Sequence, residues 1–181
     1  MPAPLRSRGF TLVELLIGLV IISVLMLMML PSYNQFMAGT RVRSTAESLV
    51  HGAKLAQLEA IKRNRDVELE VDPAVGWTVR DPAPAPLGGI IQQEPFSDGG
   101  ATIAVVPFPA GRELVTFSAF GQWRPTNPSD GSNAAQAVEV RSTVSPKRFF
   151  AVYDPSLGVG LRLCDRDFAP PEPDGCPGGL P

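Results

Sequence analysis

Residues 8–30 read RGFTLVELLIGLVIISVLMLMML and form the most apolar part of the chain. From Phe10 to Leu30 there are 21 consecutive residues with a single charge, Glu14. As a helix that rises about 1.5 Å per residue, this segment is about 31 Å long, which matches the apolar thickness of a bilayer. The sequence therefore predicts a helix over residues 10–30 that can cross a membrane.

Two arginines, Arg6 and Arg8, precede the apolar run, and no acidic residue lies before Glu14. Positive charge on this flank predicts a single-pass topology in which the N-terminus stays in the cytoplasm and the rest is exported. An ordinary secretory signal peptide has an apolar region of about 7–15 residues and a small-x-small cleavage site, which Leu30-Pro31-Ser32 does not provide. A plain membrane anchor matches the length of the run but does not explain Glu14.

A third interpretation accounts for Glu14. The segment from Arg8 to Glu14, Arg-Gly-Phe-Thr-Leu-Val-Glu, resembles the prepilin leader junction of type IV pilins and type II secretion pseudopilins. The resemblance implies that a membrane aspartyl peptidase, the prepilin peptidase, cuts between Gly9 and Phe10 on the cytoplasmic side and methylates the new N-terminal Phe10. Residues 1–9 are then a leader, residues 10–30 are the transmembrane and filament-core helix, and the mature chain has 181 − 9 = 172 residues.

Glu14 is unfavourable in a plain membrane helix. A carboxylate at the bilayer centre costs about 2.5–3.5 kcal/mol on insertion scales, so such a residue usually has a partner or a function. Phe10 lies four residues earlier, on the same helix face, and after cleavage it carries a positive amine. We expect that amine, from the same or a neighbouring subunit, to pair with Glu14 during assembly. The alternative is that Glu14 lies close enough to the headgroups to be tolerated without a role.

The helical pattern continues beyond the membrane segment. Apolar residues between Arg41 and Lys62 recur with a helical period and predict one buried stripe. They are Ala46, Leu49, Val50, Ala53, Ala56 and Ile61, with Leu55 and Leu58 nearby. The basic cluster around Asn64 suits the negative end of a helix dipole, so we predict an amphipathic continuation of the helix over residues 31–65.

From Val67 the period changes to two, with Val67, Leu69 and Val71 alternating with Glu68 and Glu70. This alternation predicts a half-buried strand, and seven further short strands follow it, separated by Gly, Pro, Asn and Ser loops. The predicted segments are Gly76–Arg80, Ile90–Gln93, Thr102–Val106, Leu114–Ser118, Ala137–Arg141, Phe149–Tyr153 and Gly160–Leu163. A helix followed by short strands predicts an α+β fold, in which the long N-terminal helix packs on a small antiparallel β-rich domain over residues 66–181.

Parts of this domain resemble the C-terminal domain of the GspH/FimT family, which comprises the minor pseudopilin H of type II secretion and the minor pilins FimT and FimU. The matching segments are Leu114–Phe117 with Gly121, Val138–Val140, Phe150–Tyr153 and Gly158–Arg162. The resemblance implies a low-copy structural subunit near the filament tip, anchored in the inner membrane with its β-rich domain in the periplasm. Its implied partners are other pilins, the prepilin peptidase, the inner-membrane assembly platform and membrane lipid. The residues leave open whether the filament is a secretion pseudopilus or a type IV pilus.

Cys164 and Cys176 are the only cysteines in the chain. An even pair in a domain that faces the oxidising periplasm predicts a disulfide, and the alternative is two buried thiols. The bridge closes a loop of about a dozen residues and stabilises the fold by roughly 3 kcal/mol on the chain-entropy estimate.

DNA binding defines a second class of function, because some proteins that resemble FimT bind DNA through a Gly-Arg-x-Arg segment near the C-terminus. The corresponding Gly160-Leu161-Arg162-Leu163 has leucine at both arginine positions. The remaining candidates for DNA contact are Lys147, Arg148, Arg162 and Arg166. Asp165 and Asp167 flank Arg166, however, and the net charge of the chain is -2. Because DNA affinity depends largely on phosphate neutralisation, we do not expect nucleic acid to bind.

The sequence carries no motif for catalysis or for cofactor binding. It contains no phosphate-binding glycine loop and no nucleophile motif. Two cysteines and the distant His51 do not make a zinc site, which usually needs four protein ligands or three with a water. We therefore expect a structural subunit that is not an enzyme and that has no metal and no cofactor.

Overall fold

The computed structural model describes residues 10–83, 88–96, 102–153, 161–168, 172 and 174–177. The predicted leader, residues 1–9, and residues 158–160 of the family resemblance lie outside these ranges. One helix, α1, runs from Leu12 to Arg63 and spans both predicted helical segments without a break. Nine β-strands follow it within the described ranges, so the predicted α+β class is confirmed.

The helix ends where the basic cluster predicts. Asn64 adopts a left-handed conformation, with φ 52° and ψ 43°, and its N–H caps carbonyl oxygens of the preceding turn. Arg63 Nε and Lys62 Nζ donate hydrogen bonds to the Glu59 carboxylate at 2.7 and 3.0 Å. These hydrogen bonds, first from Arg63 and then from Lys62, lower the pKa of the Glu59 carboxyl. The positive side chains also complement the negative end of the helix dipole.

The second half of α1 packs into the β-rich domain through a stripe of mostly small residues. The buried members are Ala38, Val42, Ala46, Leu49, Val50, Ala53, Ala56 and Ala60. The predicted stripe is thus confirmed from Ala46 to Ala56, but the prediction for Ile61 is wrong, because this side chain is 50% exposed. Five residues after Ala56, Ile61 is rotated by about 140° around the helix, whereas Ala60 continues the inward spacing of three and four residues.

The strands form two antiparallel sheets. Their bounds are β1 Val67–Asp72, β2 Gly76–Asp81, β3 Gly89–Pro95, β4 Ile103–Phe108, β5 Leu114–Phe117, β6 Trp123–Arg124, β7 Ala137–Ser142, β8 Arg148–Tyr153 and β9 Leu161–Asp165. The first sheet has the order β3-β2-β1-β5-β6 and the second the order β4-β7-β8-β9. The helix contacts β1, β2 and β5 of the first sheet and β7, β8 and β9 of the second, so both sheets cover its buried stripe.

Eight of these strands correspond to the eight predicted ones, with ends that differ by at most two residues. The ninth, β6, is only two residues long and carries no alternating pattern that could predict it. It forms because the turn at Gly121 folds the chain back on β5, where Trp123 pairs with Phe117.

The alternating pattern predicts that the glutamates of β1 face solvent, but one of them does not. Glu68 is fully buried, although the alternation places it on the solvent face. It lies opposite Thr116 of β5, and the segment after β6 lies over this face because Thr116 Oγ1 donates to Asn127 Oδ1 at 2.8 Å. Arg80 Nε donates to Glu68 Oε2 at 3.0 Å, so the buried carboxylate has a charged partner.

Trp77 sets the distance between α1 and the first sheet. Its side chain is fully buried, and its Nε1 donates a hydrogen bond to Ser48 Oγ at 2.8 Å. The indole ring approaches the helix so closely that a Cβ atom at Gly52 would lie 2.8 Å from Trp77 Cδ2. Glycine at position 52 therefore lets the helix and the sheet come together at this point.

Candidate functional site

The start of α1 is built as a capping box. Thr11 is the N-cap residue, and its Oγ1 accepts a hydrogen bond from Glu14 N at 3.2 Å. In return, Glu14 Oε2 accepts a hydrogen bond from Thr11 N at 3.5 Å. Such a pair satisfies backbone donors that the first helical turn leaves open. The Thr-x-x-Glu spacing is a sequence signal for this cap, and an interpretation of Glu14 by its charge alone misses it.

Phe10 lies immediately before the N-cap, with an exposed side chain, and Glu14 lies in the first turn. The structure therefore brings the predicted methylation residue and the predicted assembly residue to the same end of α1. Gly9, the other side of the predicted cleavage junction, lies outside the described residues. A carboxylate in the first turn also suits the positive end of the helix dipole, which adds a local role for Glu14.

The first half of α1 is long and apolar enough to cross a membrane by its length and composition. None of its most apolar window is buried inside the fold, and Ile17, Val20 and Leu25 are among its exposed side chains. A bare apolar helix of this length needs lipid or neighbouring apolar helices around it. Such an anchor suits either a membrane or the centre of a filament.

The predicted disulfide fixes the C-terminal tail to β9. Cys164 and Cys176 are bonded, with their Sγ atoms 2.01 Å apart and a sequence separation of 12. Beside the bridge, Asp165 N donates to Asp174 O at 2.8 Å, and Asp165 and Gly175 form a parallel β-bridge. The tail therefore continues the second sheet beyond its last strand.

Three of the four candidate DNA-contact residues lie at one end of the second sheet. Lys147 precedes β8, and Arg166 N, after β9, donates to Arg148 O at 3.3 Å. Lys147 Nζ lies 2.5 Å from Asp167 and 3.7 Å from Asp165. The hydrogen bond to Asp167 raises the pKa of the Lys147 ammonium. Its charge is thus largely matched by carboxylates of the same subunit.

The three arginines of this set also have intramolecular partners. Arg148 lies 3.8 Å from the Glu139 carboxylate, and Arg162 donates a hydrogen bond to the Gly175 carbonyl at 3.0 Å. The guanidinium of Arg166 lies 5.7 Å from the centroid of the Phe150 ring. Arg162 lies further along β9, opposite Val152, and so apart from the other three cations. The arrangement does not concentrate positive charge that is available to phosphate.

His51 is exposed on α1, with its ring 6.4 Å from the Trp77 ring. Within the ranges that the structure describes, no three His, Cys, Asp or Glu side chains are grouped so that they could hold a metal ion. The features that carry functional information are therefore the helix start, the apolar helix and the disulfide-fixed domain.

Two known families match the chain. The prokaryotic N-terminal methylation motif matches residues 4–30, and the family described as type II transport protein GspH matches residues 45–150. A methylation motif on a helix that continues into an α+β domain defines a pilin-type subunit. Within this class, the chain belongs to the GspH family, and the predicted resemblance is confirmed. Pilin-type subunits assemble with other pilins or pseudopilins.

The fold is similar to that of the type IV minor pilin FimU from Pseudomonas aeruginosa. Its crystal structure matches with a TM-score of 0.53 and 18% sequence identity, and the match covers 75% of this chain and 97% of that chain. At this level of identity the likeness concerns the fold alone. No curated protein sequence matches the chain.

Proposed function

We propose that this chain is a minor pseudopilin, a structural subunit at or near the tip of a type II secretion pseudopilus that supports protein export. The observation that carries the proposal is the union, in one chain, of a prepilin-type N-terminus with a GspH domain. The exposed apolar half of α1 supports a place among other apolar helices in a filament. The buried second half of the same helix supports the role of a rigid link between that filament and the β-rich domain.

Before assembly, the apolar half of α1 holds the subunit in the bacterial inner membrane. Arg6 and Arg8 support a cytoplasmic N-terminus and, with it, a periplasmic location of the β-rich domain. The Cys164–Cys176 disulfide suits that oxidising compartment. The proposed partners are the prepilin peptidase, the inner-membrane assembly platform and the other subunits of the filament tip.

The second candidate function is that of a minor type IV pilin, in pilus assembly or in DNA binding for uptake. The fold likeness to FimU favours this candidate. The DNA-binding form has less support, because Lys147 and the three candidate arginines interact with groups of their own subunit. The two candidate functions assign the same fold to different filaments, a type II secretion pseudopilus and a type IV pilus.

Deletion of the gene should separate the two candidates. We expect the deletion strain to lose most export of type II secretion substrates into the medium, because the tip subunit is needed to start or extend the pseudopilus. Pilus-dependent motility should stay at the wild-type level, and the unmodified gene supplied in trans should restore export. Normal export together with loss of pili would contradict the first proposal and support the type IV pilus.

Processing gives a further prediction. The chain purified from membranes should have lost nine residues and gained one methyl group on Phe10, as the junction at Gly9 and Phe10 predicts. Intact-mass measurement detects both changes in one spectrum. The same chain from a host without a prepilin peptidase is the control and should keep its full length. An uncut chain from a host with an active peptidase would contradict this assignment.

A further inference from the structure

An exposed apolar cluster lies at the far end of α1 from the membrane segment. Phe120, at the turn between β5 and β6, is 83% exposed, and Leu58 and Ile61 on α1 are 63% and 50% exposed. Leu58 and Ile61 lie three residues apart on one face of α1. Phe120 directly precedes Gly121, whose backbone packs against Ile61, since a Cβ atom at position 121 would lie 2.7 Å from Ile61 Cδ1. We call Leu58, Ile61 and Phe120 the apical patch.

The turn that carries Phe120 is held firmly on the helix. Gln57 Nε2 donates to Gly121 O at 2.8 Å, and Gly121 N donates to Ser118 O at 2.7 Å. Ser118 N in turn donates to Gln122 O at 2.8 Å. The left-handed φ of 73° at Gly121 lets the chain reverse without a side chain that would strike Ile61. The fold therefore fixes the backbone of this turn on the helix and leaves the Phe120 side chain in solvent. Aromatic side chains such as this one are enriched in interfaces between proteins.

The exposed charged side chains of α1 beside the apical patch, Lys54 and Lys62, are positive. Lys54 lies one helical turn before Leu58, is exposed, and forms no ion pair in the part of the chain that the structure describes. The Lys62 side chain is 74% exposed, whereas its partner Glu59 is only 13% exposed, so the surface presents the ammonium group. A partner that fits this surface has an apolar centre with carboxylates at its rim.

The apical patch continues the exposed face of the helix. Leu58 follows Tyr33, and Ile61 follows Phe36, by 25 residues each, which is about seven turns. Tyr33 and Phe36 are exposed and lie just beyond the apolar half of α1. A subunit that packs along this face of α1 in a filament would therefore lie in line with the apical patch.

We propose that the apical patch is the docking surface for the globular domain of a neighbouring pilin-type subunit, whose matching surface is apolar with an acidic rim. This inference rests on the proposed function, since it requires a filament or tip complex. It adds a second contact, between globular domains, to the contact between apolar helices. Phe120 is the central side chain of that contact, and Lys54 contributes to its charge preference.

The test uses the full-length chain in its own cells. Phe120→Ala should lower the amount recovered with the other pilin-type subunits by about tenfold, at an equal level of processed chain in the membrane. Lys54→Glu should lower recovery as well, because it opposes an acidic rim. Ile90→Ala is the matched control, since Ile90 on β3 is 69% exposed but lies outside the patch, and it should stay within about twofold of the unmodified chain.

A photoreactive benzoylphenylalanine in place of Phe120 identifies the neighbour. Mass spectrometry of the cross-linked product should find another pilin-type subunit, whereas a product with lipid alone would overturn the docking surface. If the unmodified chain is recovered with pilin-type subunits and Phe120→Ala is recovered equally well, only the docking surface is overturned. If even the unmodified chain is absent from that fraction, the proposed function is overturned together with the docking surface.

Discussion

Replacing Glu14 with alanine should leave the chain inserted and cleaved but reduce its incorporation into the filament by about a hundredfold. Alanine makes the helix more apolar, so insertion has no reason to suffer. In the filament, however, the Phe10 amine would lose its carboxylate partner in a low-dielectric environment. An unpaired buried charge costs about 3–5 kcal/mol, and each 1.4 kcal/mol corresponds to a factor of ten in an equilibrium. Recovery of the variant with its filament partners, compared at equal membrane levels, measures the effect.

The capping box makes a matched control available at the same position. Glu14→Gln keeps a side-chain oxygen that can accept the hydrogen bond from Thr11 N, but it removes the negative charge. If the charge drives assembly, the glutamine variant should be as defective as the alanine variant. If the cap is the main contribution, glutamine should restore incorporation. Normal incorporation of the alanine variant would show that packing of the apolar helices alone drives assembly.

Replacing Gly52 with leucine should lower the free energy of unfolding by about 3–5 kcal/mol. The new side chain would have to displace the fully buried Trp77 ring, and loss of a buried tryptophan from a core costs about this amount. Gly52→Ala should also destabilise, by about 1–3 kcal/mol, although alanine is normally the better helix former. The sign of the change in the free energy of unfolding for Gly52→Ala shows which effect is larger, because overpacking lowers stability and the higher helix propensity of alanine raises it.

Urea unfolding of the purified chain in detergent, followed by tryptophan fluorescence, measures both Gly52 variants. Ser44→Leu is the matched control, because it introduces the same side chain at an exposed position of the same helix, and it should change stability by less than about 0.5 kcal/mol. Unfolding of Gly52→Leu at the urea concentration of the unmodified chain would contradict the close approach of Trp77 to α1.

Much of the architecture could be predicted from local patterns. The helix and its end near Asn64, eight strands, and the pairing of Cys164 with Cys176 all follow from signals within short stretches of the chain. A helical period, an alternating period or a cysteine pair in an oxidising compartment restricts a segment whatever it later contacts. The junction at Phe10 and Glu14 belongs to the same category, although its roles in processing and assembly stay predictions.

The sequence by itself therefore determined the class of fold, the order of its elements and most of the buried stripe of α1, whereas the burial of Glu68 and the placement of the Phe120 turn on α1 were decided only by the tertiary structure. Glu68 is buried because the segment that carries Asn127, hydrogen-bonded to Thr116 on the neighbouring strand, lies over its side of the sheet. The apical patch exists because Gly121, 64 residues after Gln57 in the sequence, accepts a hydrogen bond from the Gln57 side chain and so holds the Phe120 turn on α1. Periodicity reports which face of an element a residue occupies, whereas contacts between distant segments decide what covers that face.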